Sequence, residues 1–237
     1  MMQPQGKLIK ISAASLSLVA LVLVAWTVLS RASHDWDLDA FLYLGSRLAE
    51  GELLYTRDFE TKLPLVQYLF YWPNLLGGIG AWKLLNFGLV SCLGYLASRR
   101  LARELRRPRP DDDTVPDLAW YLTSLYLVVL YSLPGAESGH LEMVSASLAY
   151  LACAWLVASS RRSTPTSWRL DAASGFLVGL ASLIRPNYLY LGAAMMVWMS
   201  LRVAAGGSIR AVAAREAAFI AGFAIAVAAV FLPYLVS

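Results

Sequence analysis

The chain has 237 residues, of which 58% are hydrophobic, and several of its apolar runs are long enough to cross a lipid bilayer. This composition excludes an ordinary soluble domain and predicts an all-α, polytopic membrane protein. The net charge of +4 does not indicate nucleic-acid binding, because the basic residues cluster between the apolar runs, where they follow membrane topology.

The first apolar run covers residues 8–30 and begins beside Lys7 and Lys10. A cleaved signal peptide has an apolar core of about 7 to 15 residues, so this longer run predicts a retained transmembrane helix. The two lysines place the N-terminus in the cytoplasm under the positive-inside rule. Residues 31–83 are therefore expected to form a loop on the non-cytoplasmic side.

Two short helices are predicted within this outer loop, both lying at the membrane interface. The first is amphipathic, and Gly51 is expected to end it. Its apolar face consists of Leu38, Phe41, Leu42, Gly45, Leu48 and Ala49, and its polar face of Asp39, Tyr43, Ser46, Arg47 and Glu50. The second covers residues 64–72, is rich in aromatic side chains suited to the headgroup region, and is too short to span the bilayer before Pro73.

Six further transmembrane helices are predicted from the remaining apolar runs, which makes seven in all. They cover residues 84–104, 118–133, 141–159, 172–184, 188–201 and 217–236. The loops that this topology places in the cytoplasm hold most of the arginines, above all the cluster between residues 99 and 109. The last helix is expected to end outside.

The fifth and sixth helices are predicted as a hairpin. Residues 172–201 would make a single helix of about 45 Å, longer than the hydrocarbon core, and they are interrupted at Pro186. Because basic residues flank both ends, two passes fit better than one, each about 20 Å long. Arg185 then lies at the outer tip, where a buried charge needs a partner. Glu142 and a phosphate oxygen are the two candidates.

Acidic residues and a lysine gather in the outer loop, around the two interfacial helices. Asp35, Asp37 and Asp39 lie near the start of the first helix, and Asp58 and Lys62 lie between the two. A carboxylate can take the proton from an acceptor hydroxyl as that oxygen attacks. A cation can stabilise the negative charge that grows on a departing phosphate. This combination favours transfer of a sugar from a polyprenyl phosphate, whose reacting carbon lies at headgroup depth.

The stretch D-x-x-x-F-x-Y…G-E-L-L-Y-T-R-D-F-E-T-K-L-P resembles the first outer loop of GT-C glycosyltransferases. That family includes protein O-mannosyltransferases and bacterial enzymes that transfer aminoarabinose or other sugars from polyprenyl phosphate. Gly139-His140-Leu141-Glu142 and Gly179-Leu180-Ala181…Arg185-Pro186 resemble later family features, in the same order along the chain.

The resemblance implies roles for individual residues. Asp37 matches the position of the family's catalytic acid. The family usually has an Asp-Glu pair there, whereas this chain has Asp37-Leu38, so Asp35 and Asp39 are alternative matches for the catalytic acid. The expected site consists of Asp37 and Asp39 as catalytic residues, Lys62 and Arg185 for the donor phosphate, and Tyr43, Tyr55, Asp58, His140 and Glu142 in the substrate pocket. No metal site and no cofactor are predicted, because His140 and Glu142 are too few as ligands and His140 is more simply a helix cap.

The implied partners are a polyprenyl-phosphate-linked sugar as donor, a lipid, glycan or protein as acceptor, and membrane lipids, without nucleic acid. The implied location is the inner or plasma membrane of a bacterium. Family members generally continue for several more helices, so the chain resembles their N-terminal module, and a separate C-terminal half is a further expected partner. The alternative hypotheses are a non-catalytic transporter of lipid-linked sugars, suggested by the Arg185 hairpin, and an assembly subunit for such sugars.

Overall fold

The computed structural model describes residues 4–29, 36–53, 64–105, 114–133, 140–161, 167–204 and 208–236. Across these ranges the regular secondary structure is entirely helical, which confirms the all-α prediction. The helices are α1 (Pro4–Leu29), α2 (Trp36–Ala49), α3 (Pro64–Leu76), α4 (Ile79–Leu105), α5 (Thr114–Tyr131), α6 (Leu141–Ser160), α7 (Ser167–Ile184), α8 (Tyr188–Ala204) and α9 (Ile209–Val236).

Three of these helices, α4, α6 and α9, are long and apolar enough to cross a membrane. Their 27, 20 and 28 residues correspond to about 40, 30 and 42 Å. The apolar stretch of α6 is 67% buried inside the protein, whereas that of α9 is 22% buried, so α6 is central and α9 peripheral. Shorter apolar stretches lie in α1 and α8. This pattern is compatible with membrane association.

The helix directions follow from contacts at the helix ends. The Asn86 side chain donates to the His140 carbonyl at 3.2 Å, and the Arg161 guanidinium donates to the Glu104 carbonyl, so α4 and α6 are parallel. Ser159, at the end of α6, donates to the Ser167 carbonyl at the start of α7 at 3.2 Å. Ser174, in the middle of α7, donates to the Ala152 carbonyl near the middle of α6 at 3.1 Å. The α7 helix is therefore antiparallel to α6.

Glycines allow α7 and α9 to pack backbone to backbone. A side chain on Gly175 would meet the Phe219 carbonyl, and one on Gly179 would meet the backbone and side chains around Phe223. The order of these contacts makes the two helices parallel. Gly175 and Gly179 form a G-x-x-x-G pattern, which brings helices together in membranes and elsewhere.

Replacing Gly175 by alanine is expected to destabilise the protein by about 1–3 kcal/mol, because the new Cβ meets a main-chain carbonyl that moves only if the helices separate. Gly88→Ala is the matched control: Gly88 is also helical, but nothing lies within 4 Å of its added Cβ. The measurement is thermal unfolding of the purified protein in detergent. Equal melting temperatures for the two variants would contradict the close approach of α7 and α9.

The predicted amphipathic helix is present as α2, and it ends as expected before Gly51. Gly51 has a φ of 82° and donates to the Leu48 carbonyl at 3.0 Å, while Glu52 donates to the Arg47 carbonyl at 2.9 Å. These two bonds are the pattern of a Schellman C-cap. The apolar face of α2 is buried by protein: Phe41 packs on Phe70 of α3, with ring centroids 5.2 Å apart.

Several predicted boundaries are wrong. The second short helix continues through Pro73 to Leu76, because Val66, Phe70 and Pro73 share one buried face whose packing outweighs the local cost of proline. The next helix begins at Ile79, not at residue 84, after a turn in which Gly77 and Gly78 have positive φ. The helix predicted at residues 118–133 begins at Thr114 and ends at Tyr131, as α5.

The two arms of the predicted hairpin are also longer than expected. They have 18 and 17 residues, about 27 and 26 Å, against the expected 20 Å. The final helix begins at Ile209, not at residue 217. In both places the apolar run stops at charged residues, but the helix does not, because Asp171 and Arg215 are buried together as an ion pair.

The contacts divide the bundle into two ends. We call the end that carries α2 and α3 the α2–α3 end: Phe70 of α3 stacks on Trp82 near the start of α4, with ring centroids 4.1 Å apart, and Tyr234 near the end of α9 donates to Gln67 of α3 at 3.3 Å. The opposite end holds the C-termini of α4 and α6 and the N-termini of α7 and α9. Exposed arginines of the described helices gather at the opposite end: Arg99, Arg103, Arg161, Arg169 and Arg210.

Candidate functional site

Asp37 and Asp39 both lie in the first turn of α2, and both are exposed. They point in different directions, because residues two apart on a helix do not share a face. Asp37 is in helical register with the buried Phe41, so it lies at the edge of the side that faces the bundle. Asp39 is in register with Tyr43, on the outward side. Carboxylates in a first turn also stabilise a helix through its dipole.

Tyr43 lies on the outer face of α2 and is 50% exposed. The Arg47 guanidinium lies 5.9 Å from the centroid of its ring, and it also pairs with Glu50 at 2.9 Å and with Glu52. The second half of α2 is thus held by its own charges. Three predicted site residues, Tyr55, Asp58 and Lys62, lie outside the described residues.

Glu142 joins His140 and Arg185 into one cluster at the α2–α3 end. One carboxylate oxygen of Glu142 pairs with the Arg185 guanidinium, and the other lies 3.5 Å from Nδ1 of His140. The side chains of all three are about one third to two fifths exposed. The expectation that Glu142 is a partner of Arg185 is confirmed. His140 is the N-cap residue of α6, as expected, but its side chain makes no capping bond, and only its carbonyl takes part by accepting from the Met143 amide.

Two buried polar residues of α4, which the sequence did not single out as site residues, support this cluster. Asn86 is 1% exposed and its donation to the His140 carbonyl fixes the start of α6. Lys83, one turn earlier, is 4% exposed and donates to the Thr27 carbonyl near the end of α1 at 3.0 Å. Lys83 was expected in the outer loop. Its spacing of three residues from Asn86 in an apolar helix was the signal that both belong to one buried polar face.

The α3 helix ties the C-terminal end of α2 to the rest of the bundle. Gln67 is 1% exposed, donates to the Glu52 carbonyl at 2.9 Å and accepts from Tyr234. Beside it, burial raises the pKa of the Tyr68 phenol, so this group stays protonated at physiological pH. The amide of Gln67 therefore holds α2, α3 and α9 in a fixed relation at the α2–α3 end.

The arrangement therefore combines two exposed carboxylates with a partly exposed arginine at one end of the bundle. It can accept a proton at α2 and bind an anionic group at the tip of the α7–α8 hairpin. Among the described residues, no group of three or more His, Cys, Asp or Glu side chains is close enough to hold a metal ion.

Comparison with protein families, with curated proteins and with solved structures finds no match to this chain.

Proposed function

We propose that this chain is an integral membrane glycosyltransferase, or the N-terminal module of one, of the GT-C type. In the proposed topology α1 and α4–α9 are seven membrane spans, and α2 and α3 lie at the non-cytoplasmic interface. The N-terminus is cytoplasmic and the membrane is the inner or plasma membrane of a bacterium. The exposed arginines at the opposite end support this orientation, because basic residues concentrate on the cytoplasmic side.

The observation that carries the proposal is that exposed acids and a cation lie at the same end of the bundle, the α2–α3 end. Asp37 and Asp39 are exposed on α2, and Arg185 is 42% exposed beside Glu142. Helix ends of membrane spans lie at headgroup depth, which is where the sugar–phosphate bond of a polyprenyl-linked donor lies. A soluble substrate would not require a site at this depth.

In the proposed reaction an acceptor hydroxyl oxygen attacks the anomeric carbon of the sugar. The bond between that carbon and the phosphate oxygen breaks, and the polyprenyl phosphate leaves with both electrons. Asp37 takes the hydroxyl proton as general base, because its register places it toward the bundle; Asp39 is the alternative. Arg185 and Lys62 stabilise the charge on the phosphate. Tyr55, Asp58 and His140 line the pocket, Tyr43 on the outer face of α2 is not assigned to it, and no metal or cofactor takes part.

The acceptor in this proposal is a lipid, glycan or protein hydroxyl. A separate C-terminal half is a proposed partner, because α9 is largely exposed along its apolar length. A non-catalytic transporter or assembly subunit for lipid-linked sugars is the alternative. The transporter hypothesis relied on a hairpin broken near the midplane, whereas the arms of α7 and α8 are close to full span length and the tip lies at the bundle end.

The test is sugar transfer by the full chain in sealed vesicles. The donors are radiolabelled polyprenyl-phosphate mannose and polyprenyl-phosphate aminoarabinose, offered with envelope lipid, glycan and protein fractions as acceptors. We expect label in an acceptor only when donor and acceptor are on the face opposite the N-terminus. Binding of the donors without transfer would favour the transporter or assembly alternative, and binding of neither donor would contradict the proposal.

A further inference from the structure

The outward face of α4 is an apolar stripe that ends in two arginines. Exposed positions recur every three or four residues in the second half of this helix, so they lie on one side of it. In chain order they include Gly88, Cys92, Leu96, Arg99 and Arg103. From Gly88 to Arg99 the stripe is about 16 Å long, close to half the thickness of the hydrocarbon core. It therefore has the length of the acyl region of one leaflet, and its charges follow at headgroup level.

An aromatic pair lies beside the arginine end of this stripe. Tyr95 of α4 and Trp120 of α5 have ring centroids 5.3 Å apart, and Trp120 is 55% exposed. Tyr95 precedes Arg99 by one helical turn on the same side of α4. Tyrosine and tryptophan favour the boundary between acyl chains and headgroups. The aromatic pair therefore indicates that Arg99 lies at the depth of the lipid phosphates.

The two arginines of the stripe are not neutralised by the acids of α4 and α5. The adjacent Arg100 pairs with Glu104, which is the acid of α4. Asp117, in the first turn of α5, is the acid of that helix, and it forms no ion pair with Arg99 or Arg103. Even with the full charge of Asp117 counted, two arginines against one carboxylate leave this face with a net positive charge.

We infer that this face of α4 binds one anionic phospholipid of the cytoplasmic leaflet. An acyl chain lies along Gly88, Cys92 and Leu96, where nothing lies within 4 Å of a Cβ added to Gly88. The guanidinium groups of Arg99 and Arg103 donate to the phosphate. A zwitterionic headgroup also carries an ammonium group, which the arginines repel, so net negative charge is the property selected. The inference rests on the membrane topology of the proposed function but not on sugar transfer.

The test compares phosphatidylglycerol with phosphatidylethanolamine of identical acyl chains. Their dissociation constants from the full chain in detergent are measured by native mass spectrometry, and the native protein should prefer phosphatidylglycerol. One arginine near a membrane surface contributes about fivefold to the binding of an anionic lipid, so Arg99→Gln with Arg103→Gln should reduce the preference about 25-fold. Arg99→Lys with Arg103→Lys should keep most of the preference, because both charges remain.

Arg210→Gln is the matched control, because Arg210 is exposed at the same end of the bundle but lies in the first turn of α9. It should leave the preference unchanged, and a loss equal to that of the double variant would contradict a site on α4. An unchanged preference in the folded double variant would overturn the inference. If the double variant does not fold, the two single variants replace it, each with an expected loss of about fivefold.

Soluble glycerol 3-phosphate distinguishes a lipid site from a site for free phosphate. It carries the phosphate without the acyl chains, so it should not displace phosphatidylglycerol at equal concentration. Displacement would show that the arginines bind free phosphate, which contradicts the lipid assignment. A native protein that prefers phosphatidylglycerol but transfers no sugar contradicts the proposed catalysis and leaves the lipid site intact.

Discussion

Asp37→Asn is expected to lower sugar transfer at least about 100-fold while the protein remains folded. General base catalysis contributes about 10²–10⁴ to a rate, and asparagine retains the size of aspartate but cannot accept the proton. The side chain is exposed at the start of α2, so its replacement leaves the core unchanged. Transfer is measured with radiolabelled polyprenyl-phosphate sugar, and folding by the melting temperature.

The controls for this experiment are two other acids of the same helix. Glu50→Gln removes the exposed ion pair between Glu50 and Arg47 near the end of α2. Exposed ion pairs contribute little to stability, so sugar transfer should remain within about twofold of native. Asp39→Asn should have a smaller effect than Asp37→Asn, because Asp39 lies in register with Tyr43 on the outward side. The opposite order would move the base to Asp39. Full activity in both single variants would show that neither carboxylate is the base.

The parts of the fold that the sequence predicts depend on local patterns. The periodicity of Leu38 and Phe41 predicts both the existence of α2 and the face that it buries, and Gly51 predicts its end. The pairing of Arg185 with Glu142 was one of two expected outcomes, because a charge at a helix tip needs a partner. For α2 the signal lies within a few residues of the feature, whereas Arg185 and Glu142 are distant in sequence and were expected together because the predicted topology places both at the outer end.

The features that the sequence missed depend on contacts between distant residues. Asp171 and Arg215 each read as a boundary charge next to an apolar run, but 44 positions separate them and they meet inside the bundle. Lys83 likewise stands at the start of an apolar run, yet it is buried against the Thr27 carbonyl. A helix prediction based on hydropathy ends at such charges. The helix itself continues when the charges are paired, and this pairing is visible only in the three-dimensional structure.

Asp171→Asn is expected to destabilise the protein by about 3–5 kcal/mol, more than any surface substitution. Asp171 is 0% exposed and binds Arg215 through two bonds of 2.7 and 2.9 Å, and Arg215 also donates to Ser159 at 2.8 Å. The cluster joins α6, α7 and α9 at the opposite end of the bundle. Asparagine leaves the Arg215 guanidinium, whose side chain is 13% exposed, without a counter-charge in a largely buried site, so the loss exceeds that of one hydrogen bond.

Most of this loss of stability should come from the unpaired charge of Arg215. The double variant Asp171→Leu with Arg215→Met, which removes both charges, tests this. Replacing a buried ion pair by apolar residues of similar size is often neutral, so this variant should recover most of the stability that Asp171→Asn loses. The measurement is thermal unfolding in detergent for both variants, with Glu50→Gln as the exposed-pair control. If the double variant melts no higher than the single one, the three helices are held by the geometry of the Asp171–Arg215 bonds, and the unpaired charge is a minor part of the cost.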